Sequence, residues 1–426
     1  MTDLFIGVDV GTSGVRAVAI DRDGKLIAQA DHPLPAPQRH GAAIDQDPTL
    51  WWETLRLVIN KLAMQCDPRS NFILALDGTS GTVLLADDQG APLTPGLMYN
   101  DGRSTAEAAA IDAVAPDTTA ARGPFSGLAK VLWLRKHFPA VPLRYALNQA
   151  DWLVGKLTGR FGVSDSNNAL KMGYDAIEQR WPGWLRQLPI PFEWWPEVAS
   201  SGTTVGSITA EAARLTGLAA LTQVVLGTTD STAAVRAAGI DQPGDAVTSL
   251  GSTLVMKVLS ETPVFSPRHG VYSQPFGQHW LVGGGSNSGG VVLRHFFSDQ
   301  RMAALSLRID PSQSSGLDYY PLLQPGERFP VCDPSFPPRL EPRPENDAVF
   351  FHGLLEGLAN IEKQAYDLLA ELGAPYPRRV ASVGGGAKND VWATIRTRRL
   401  GIPVYRPAHE DAAYGSALIA RSAKAN

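Results

Sequence analysis

The sequence predicts an α/β protein of two domains, each opening on a β-meander. Three features predict it. The chain has 426 residues, more than one hydrophobic core usually serves. Two sets of apolar runs joined by short polar turns stand far apart, at 4–28 and at 246–258. Near the C-terminus a strand, a glycine turn and a helix follow one another, the pattern by which a backbone comes close to a flat ligand or a phosphate.

In the first domain, Leu4 to Val8 form an apolar strand that reaches Asp9, and Val15 to Ile20 form its return. The Asp9-Val10-Gly11-Thr12-Ser13-Gly14 tip between them offers a carboxylate, two hydroxyls and backbone N–H groups that glycine leaves accessible, a set suited to metal-bound phosphate. Asp21 to Gly24 turn into a third, alternating strand at Lys25 to Ala28. Pro48 then opens a helix with Trp52, Leu55, Ile59 and Leu62 on one face. A second polar turn, Asp77-Gly78-Thr79-Ser80-Gly81-Thr82, lies between Phe72–Leu76 and Val83–Asp87, as if at the tip of another pair of strands. Residues 103–160 read as helical with no strand. The boundary is expected near 225, giving domains 1–225 and 226–426.

The second meander is Ala246–Leu250, a Gly251-Ser252-Thr253 turn, and Leu254–Val258. Proline is dense from Tyr319 to Pro344, which reads as an ordered loop. A long amphipathic helix follows from Phe350 to Leu372. The strand Arg379–Val383, the Gly384-Gly385-Gly386-Ala387-Lys388-Asn389 turn and a helix ending at Leu400 come next, then a short strand at Pro403 to Tyr405. A helix of small residues from Ala412 closes the chain and can pack tightly.

Composition bounds the partners. Hydrophobic residues make up 44% and charged residues 19%, an ordinary globular balance. A net charge of −4 offers no basic field for nucleic acid or an anionic membrane, so the expected partner is small. The two cysteines, Cys66 and Cys332, fit a reducing compartment and no thiolate zinc site. Without a basic leader or a membrane-length apolar run, the expected location is the cytoplasm. The oligomeric state is not legible.

Three aspartates stand at strand ends: Asp9, Asp77 and Asp230. A lone aspartate there ordinarily caps a turn. Phosphoryl transfer to a hydroxyl, however, needs a carboxylate to take the proton and a magnesium ion to neutralise phosphate charge. Asp9 suits the metal and Asp230 the base, opposed across a cleft between the halves. The glycine runs at 283–290 and 384–386 favour a nucleotide, although each alone is weak. No Gly-x-x-x-x-Gly-Lys-Ser/Thr run is present, so a P-loop is disfavoured.

In order along nearly the whole chain, these segments resemble the motifs of the FGGY carbohydrate kinases of the actin, Hsp70 and hexokinase superfamily. Phe5 to Asp21 is similar to the first phosphate motif, and Leu93 to Arg103 to the sugar-binding segment. Ser126 to Leu134 and His352 to Ala359 resemble the two family signatures, Leu250 to Thr253 the second phosphate motif, and Gly384 to Asn389 the adenosine motif.

The resemblance implies two actin-like (ribonuclease H-like) domains, mixed sheets flanked by helices around an interdomain cleft, using ATP and Mg2+. By carry-over Asp9 would hold magnesium, Thr12 and Ser13 would face the γ-phosphate, and Asp230 would be the general base. Ser80, Gly81, Asp101 and Asp230 would contact the sugar. Gly251, Ser252 and Gly289 would contact the nucleotide phosphates, and Gly385, Gly386 and Asn389 would border the adenosine. Lys130, Trp133 and Glu356 read as structural.

Xylulose-type members carry Gly-Gln-Met-His-Gly where this chain has Gly78-Thr79-Ser80-Gly81-Thr82, so Gly81 stands in place of a sugar-holding histidine. Tyr99 replaces the family tryptophan. The expected substrate is therefore a ketopentose phosphorylated on its 5-hydroxyl, D-ribulose ahead of D-xylulose. A nucleotide-driven switch of the actin or Hsp70 kind and a catalytically silent sugar sensor are the rival readings. The first lacks a visible extra domain, and the second fits poorly with Asp9, Thr12 and Asp230 all being present.

Overall fold

Every residue of the first strand, Asp3–Val10, is buried, as a continuous apolar run requires when a strand is covered on both faces. The structure is a computed structural model describing residues 2–139 and 142–423. It divides into two units, Met1–Ala237 with Asp411–Asn426, and Ala238–Glu410.

In the first unit a six-stranded sheet runs in the order Thr204–Ser207, Gln223–Thr229, Asn71–Gly78, Asp3–Val10, Gly14–Ile20 and Leu26–Pro33. The last three strands are the expected meander. The strands that carry Asp9 and Asp77 and the strand that leads into Asp230 are parallel neighbours, with Asp9 opposite Asp77 and Thr228 opposite Asp77. Parallel strands end at the same edge, so their last residues gather there.

One face of this sheet packs on the helix Pro48–Ala63, through Trp51, Leu55, Val58, Ile59 and Leu62. Trp51, rather than the expected Trp52, is the fully buried tryptophan, and its indole N–H donates to Gln46 at 2.6 Å. The other face packs on the C-terminal helix Ala412–Ala423, through Ala417, Ile419 and Ala420 against Phe5, Ile20, Ala75 and Val225.

Two expectations are corrected here. The boundary falls after Ala237 and not at 225, because Gln223–Thr229 adds to the first sheet through parallel pairing with Asn71–Gly78. The C-terminal helix likewise belongs to the first unit and not to a 226–426 domain. A Cβ at Gly7 would lie 1.9 Å from the Ala413 carbonyl oxygen, so the bare backbone of the first strand is what lets this helix settle.

Two further differences concern 77–160. The strand Val83–Ala86 does not pair with Asn71–Gly78; it belongs to a second sheet ordered Gln38–His40, Ala43–Gln46, Gly96–Leu97, Val83–Ala86, Tyr145–Asn148. The 77–82 turn is therefore a crossing between sheets, not a hairpin tip. Tyr145–Asn148 is a strand inside the stretch expected to be helical, its short apolar run indistinguishable from a buried helix turn by period alone.

The second unit holds a mixed sheet ordered Tyr272–Phe276, His279–Gly285, Leu254–Ser260, Asp245–Leu250, Arg379–Val383, Val404–Tyr405. The helix Asp347–Glu371 buries Phe350, Phe351, Leu354, Leu358 and Ile361 in its core. Residues 319–344 carry no helix or strand. They are nonetheless ordered, with bridges Tyr320 to Arg339 and Glu327 to Asp333, and buried Tyr319, Leu322 and Phe329.

Candidate active site

At the shared edge of the first sheet, Asp9 is 8% exposed and Asp77 wholly buried. Asp230 opens the helix Asp230–Ala237 directly after its strand, and its carboxylate accepts from the Ser231 N–H at 2.6 Å. The register shift between Val225 and Thr228 re-aims the end of that strand. Gly227 makes the approach possible, since a Cβ there would sit 1.8 Å from the Leu76 carbonyl oxygen.

The helix Ala412–Ala423 then fixes the arrangement from below. Ser416 Oγ donates to Asp77 Oδ2 at 2.6 Å, and Gly415 lies so close to the helix Asp230–Ala237 that a Cβ would be 1.8 Å from the Ala233 carbonyl oxygen.

Three carboxyls this close cannot all be charged at little cost. Burial first, and then the charge of Asp230, raise Asp9 to about 6; Arg16, 3.8 Å from Asp9 Oδ2, opposes this weakly. Burial and the Asp9 charge drive Asp77 well above the ordinary carboxyl range, which favours its protonated form. Asp9 and Asp230 both belong to the first unit. The expectation that they come from opposite halves is corrected, for the reason that moved the boundary.

Beside the carboxyls, Thr12 is half-buried and Ser13 exposed at the hairpin tip, which the Gly11 N–H closes onto the Gly14 carbonyl at 3.0 Å. In the 77–82 turn, Thr79 donates through its N–H and its hydroxyl to Gln149 Oε1 at 3.0 and 3.1 Å. Ser80 remains half-buried. Gly81 has φ +80°, and a Cβ there would lie 3.2 Å from Lys171 Cδ.

Asp101 is placed differently from expectation. It is wholly buried, accepting from the Ile44 N–H at 2.5 Å, the Arg103 N–H at 3.1 Å and the Arg103 guanidinium at 2.8 Å. It holds its segment in place and presents no oxygen outward.

Sequence reasoning missed two neighbours. Lys171 packs on Gly81, and the charge of Asp230 partly offsets the burial that lowers its ammonium. Phe125, 53% exposed, stands with 43% exposed Tyr99 beside the same turn; a Cβ at Gly102 would meet the Phe125 ring at 3.2 Å and one at Gly81 its carbonyl oxygen at 3.4 Å. An exposed aromatic just before a helix cap was the signal available for Phe125.

In the second unit the expected nucleotide turns meet at one end of the sheet. The Gly290 and Val291 N–H groups donate to the Gly251 and Ser252 carbonyls at 2.9 and 3.0 Å. A Cβ at Gly289 would lie 2.6 Å from Thr253 Cα, and one at Gly386 would strike Leu250 Cβ at 2.8 Å. Gly385 opens the short turn Gly385–Lys388. Asn389 accepts from the Trp392 N–H at 3.0 Å, capping the helix Asp390–Leu400, and donates to Ser306 Oγ at 3.0 Å.

The donor set fits a hard cation. Among the described residues no group of three or more His, Cys, Asp or Glu forms a metal cage, but magnesium typically takes one or two carboxylates and completes its shell with water and substrate phosphate. Asp9, 8% exposed and beside the carboxyls of Asp77 and Asp230, suits that role. Among the described residues, no helix is long and apolar enough to cross a membrane.

The xylulose kinase of Escherichia coli is 25% identical over 416 residues, covering 91% of this chain and 83% of that protein. An autoinducer-2 kinase of Yersinia enterocolitica is 28% identical, covering 98% of this chain and 86% of its own. The solved xylulose kinase of Rhodospirillum rubrum superposes with a TM-score of 0.86 at 26% identity, over 98% of this chain and 89% of that one. The N-terminal domain model of the FGGY family of carbohydrate kinases matches residues 4–236, and the C-terminal domain model matches 246–423. With both models met in order, the fold is the family's two-domain α/β arrangement, and this chain belongs to the FGGY carbohydrate kinases.

Proposed function

We propose that the protein transfers the γ-phosphoryl group of ATP to the 5-hydroxyl of a ketopentose. The observation that carries this reading is the gathering of Asp9, Asp77 and Asp230 at the ends of three adjacent parallel strands. Asp230 takes the proton of the 5-hydroxyl as its oxygen bonds to the γ-phosphorus, while the bond to the ADP leaving oxygen breaks. Asp9 would hold magnesium, whose charge offsets that of the phosphates when bound. Asp77, kept protonated, supports Asp9 from behind. Ser80 and the Gly81 backbone meet the sugar, and Asp101 steadies their neighbours from beneath. Thr12 and Ser13 face the γ-phosphate. Gly251, Ser252 and Gly289 approach the other phosphates, and Gly385, Gly386 and Asn389 frame the adenosine.

Sugar-kinase relatives named for xylulose support D-xylulose as first choice, reversing the order expected from the sequence. D-Ribulose is the second reading, and one observation favours it: the place of the family histidine is Gly81, whose φ of +80° strains any side chain there and where a Cβ would lie 3.2 Å from Lys171 Cδ. The test is ADP release with ATP and magnesium over a panel of pentuloses, pentitols, hexuloses and glycerol. Turnover stimulated by a ketopentose is expected. ATP turnover indifferent to every sugar would point to a switch, and none at all to a sensor.

A further inference from the structure

We propose that Lys130 is a positioning residue for the sugar, its ammonium tying the turn that carries Ser80 to the segment that carries Tyr99 so that the two behave as one surface. This rests on the sugar-kinase reading above.

The side chain comes from the helix Gly127–His137 and is fully buried. Its Nζ donates to three backbone carbonyls: Gly81 at 2.8 Å, Met98 at 2.7 Å and Tyr99 at 3.1 Å. Three acceptors match the three N–H groups of an ammonium. None of the three is a carboxylate. A buried cation without a paired anion is costly, and a methionine would fill the same volume more cheaply if packing were all that was required.

What the charge adds is a link between two loops, the turn at Gly81 and the segment at Met98 and Tyr99. Gly81 follows Ser80 directly, and Met98 and Tyr99 begin the segment that Asp101 pins through Ile44 and Arg103. The charged groups around the ammonium are Asp101 and Arg103 on that segment and Lys171 beside Gly81; Asp101 favours the charge, and the two cations oppose it. Burial, the larger influence, lowers Lys130 to about 7. Above that pH a neutral amine has two N–H groups for three carbonyls, and the tie loosens.

The test uses the full chain and Lys130→Met. The KM for the ketopentose should rise about tenfold or more, the scale of one lost charge-assisted hydrogen bond, while KM for ATP stays within about twofold. Amide hydrogen exchange, measured without sugar, should quicken at 79–82 and 97–101 and stay unchanged in the strand Asp3–Val10. An unchanged sugar KM or unchanged exchange in those two segments overturns the proposal. Should Lys130→Met fail to fold, the unaltered protein decides: its sugar KM should climb between about pH 6 and about pH 9 while KM for ATP stays level, and a flat sugar KM overturns it. If no sugar stimulates turnover, the kinase reading fails separately, and the exchange measurement still decides the role of Lys130.

Discussion

At the residue scale the chemistry depends on where single carboxyls sit. Asp230 stands half-buried at the start of its helix, next to two acids held in a buried setting. Replacing Asp230 with Asn should cut phosphoryl transfer by about 10²–10⁴-fold, the usual cost of losing a general base, with sugar binding by calorimetry preserved. Near-normal turnover would remove Asp230 from the base role. Gly81 makes a second case. Its φ of +80° is a conformation other residues adopt at a cost of about 1–3 kcal/mol, so Gly81→Ala should lower stability by about that amount in denaturant unfolding. A loss below a few tenths would show that the turn relaxes freely.

At the element scale the helix Ala412–Ala423 organises the first unit. Its small residues let it lie against the strand Asp3–Val10 and against the helix that begins at Asp230, and Ser416 reaches Asp77 from it. Gly415→Val would drive a side chain into the Ala233 carbonyl, from which even a Cβ would be 1.8 Å away. Overpacking of this kind typically costs about 1–3 kcal/mol. Because the displaced neighbour carries Asp230, activity should fall further than stability alone explains. Equal activity per folded molecule would show that the two helices are not coupled in this way.

At the scale of the whole molecule the first unit stores a load of buried acidity that links stability to pH. Asp151 is raised to about 8 and Asp165 to about 6, in each case chiefly by burial. In the unfolded chain such groups lose their protons near pH 4. A folded state that holds protons longer loses stability as pH rises. For Asp151 the loss runs from about pH 4 up to about pH 8. The melting temperature should therefore decline across that range, and Asp151→Asn should flatten the decline. An unaltered slope in the variant would mean that Asp151 titrates normally.

Much of this was legible in one dimension. The meanders, the Pro48 helix and the long helix of the second unit follow from apolar period and turn residues, which local sterics enforce. The glycine turns at 251–253, 289 and 384–386 were also readable as sites of close backbone approach, and the family motifs tied Asp9 and Asp230 to chemistry. Tertiary structure alone decided which sheet Gln223–Thr229 and Ala412–Ala423 join, that Asp101 is sealed under its own segment, and that Lys130 spans two loops. Period records how each segment turns its apolar side inward. Which distant segment supplies the other side of that core, and which carbonyls then surround a buried charge, depends on pairings that local period does not record, from Lys130 and Tyr99 at 31 positions apart to Asp77 and Ser416 at 339.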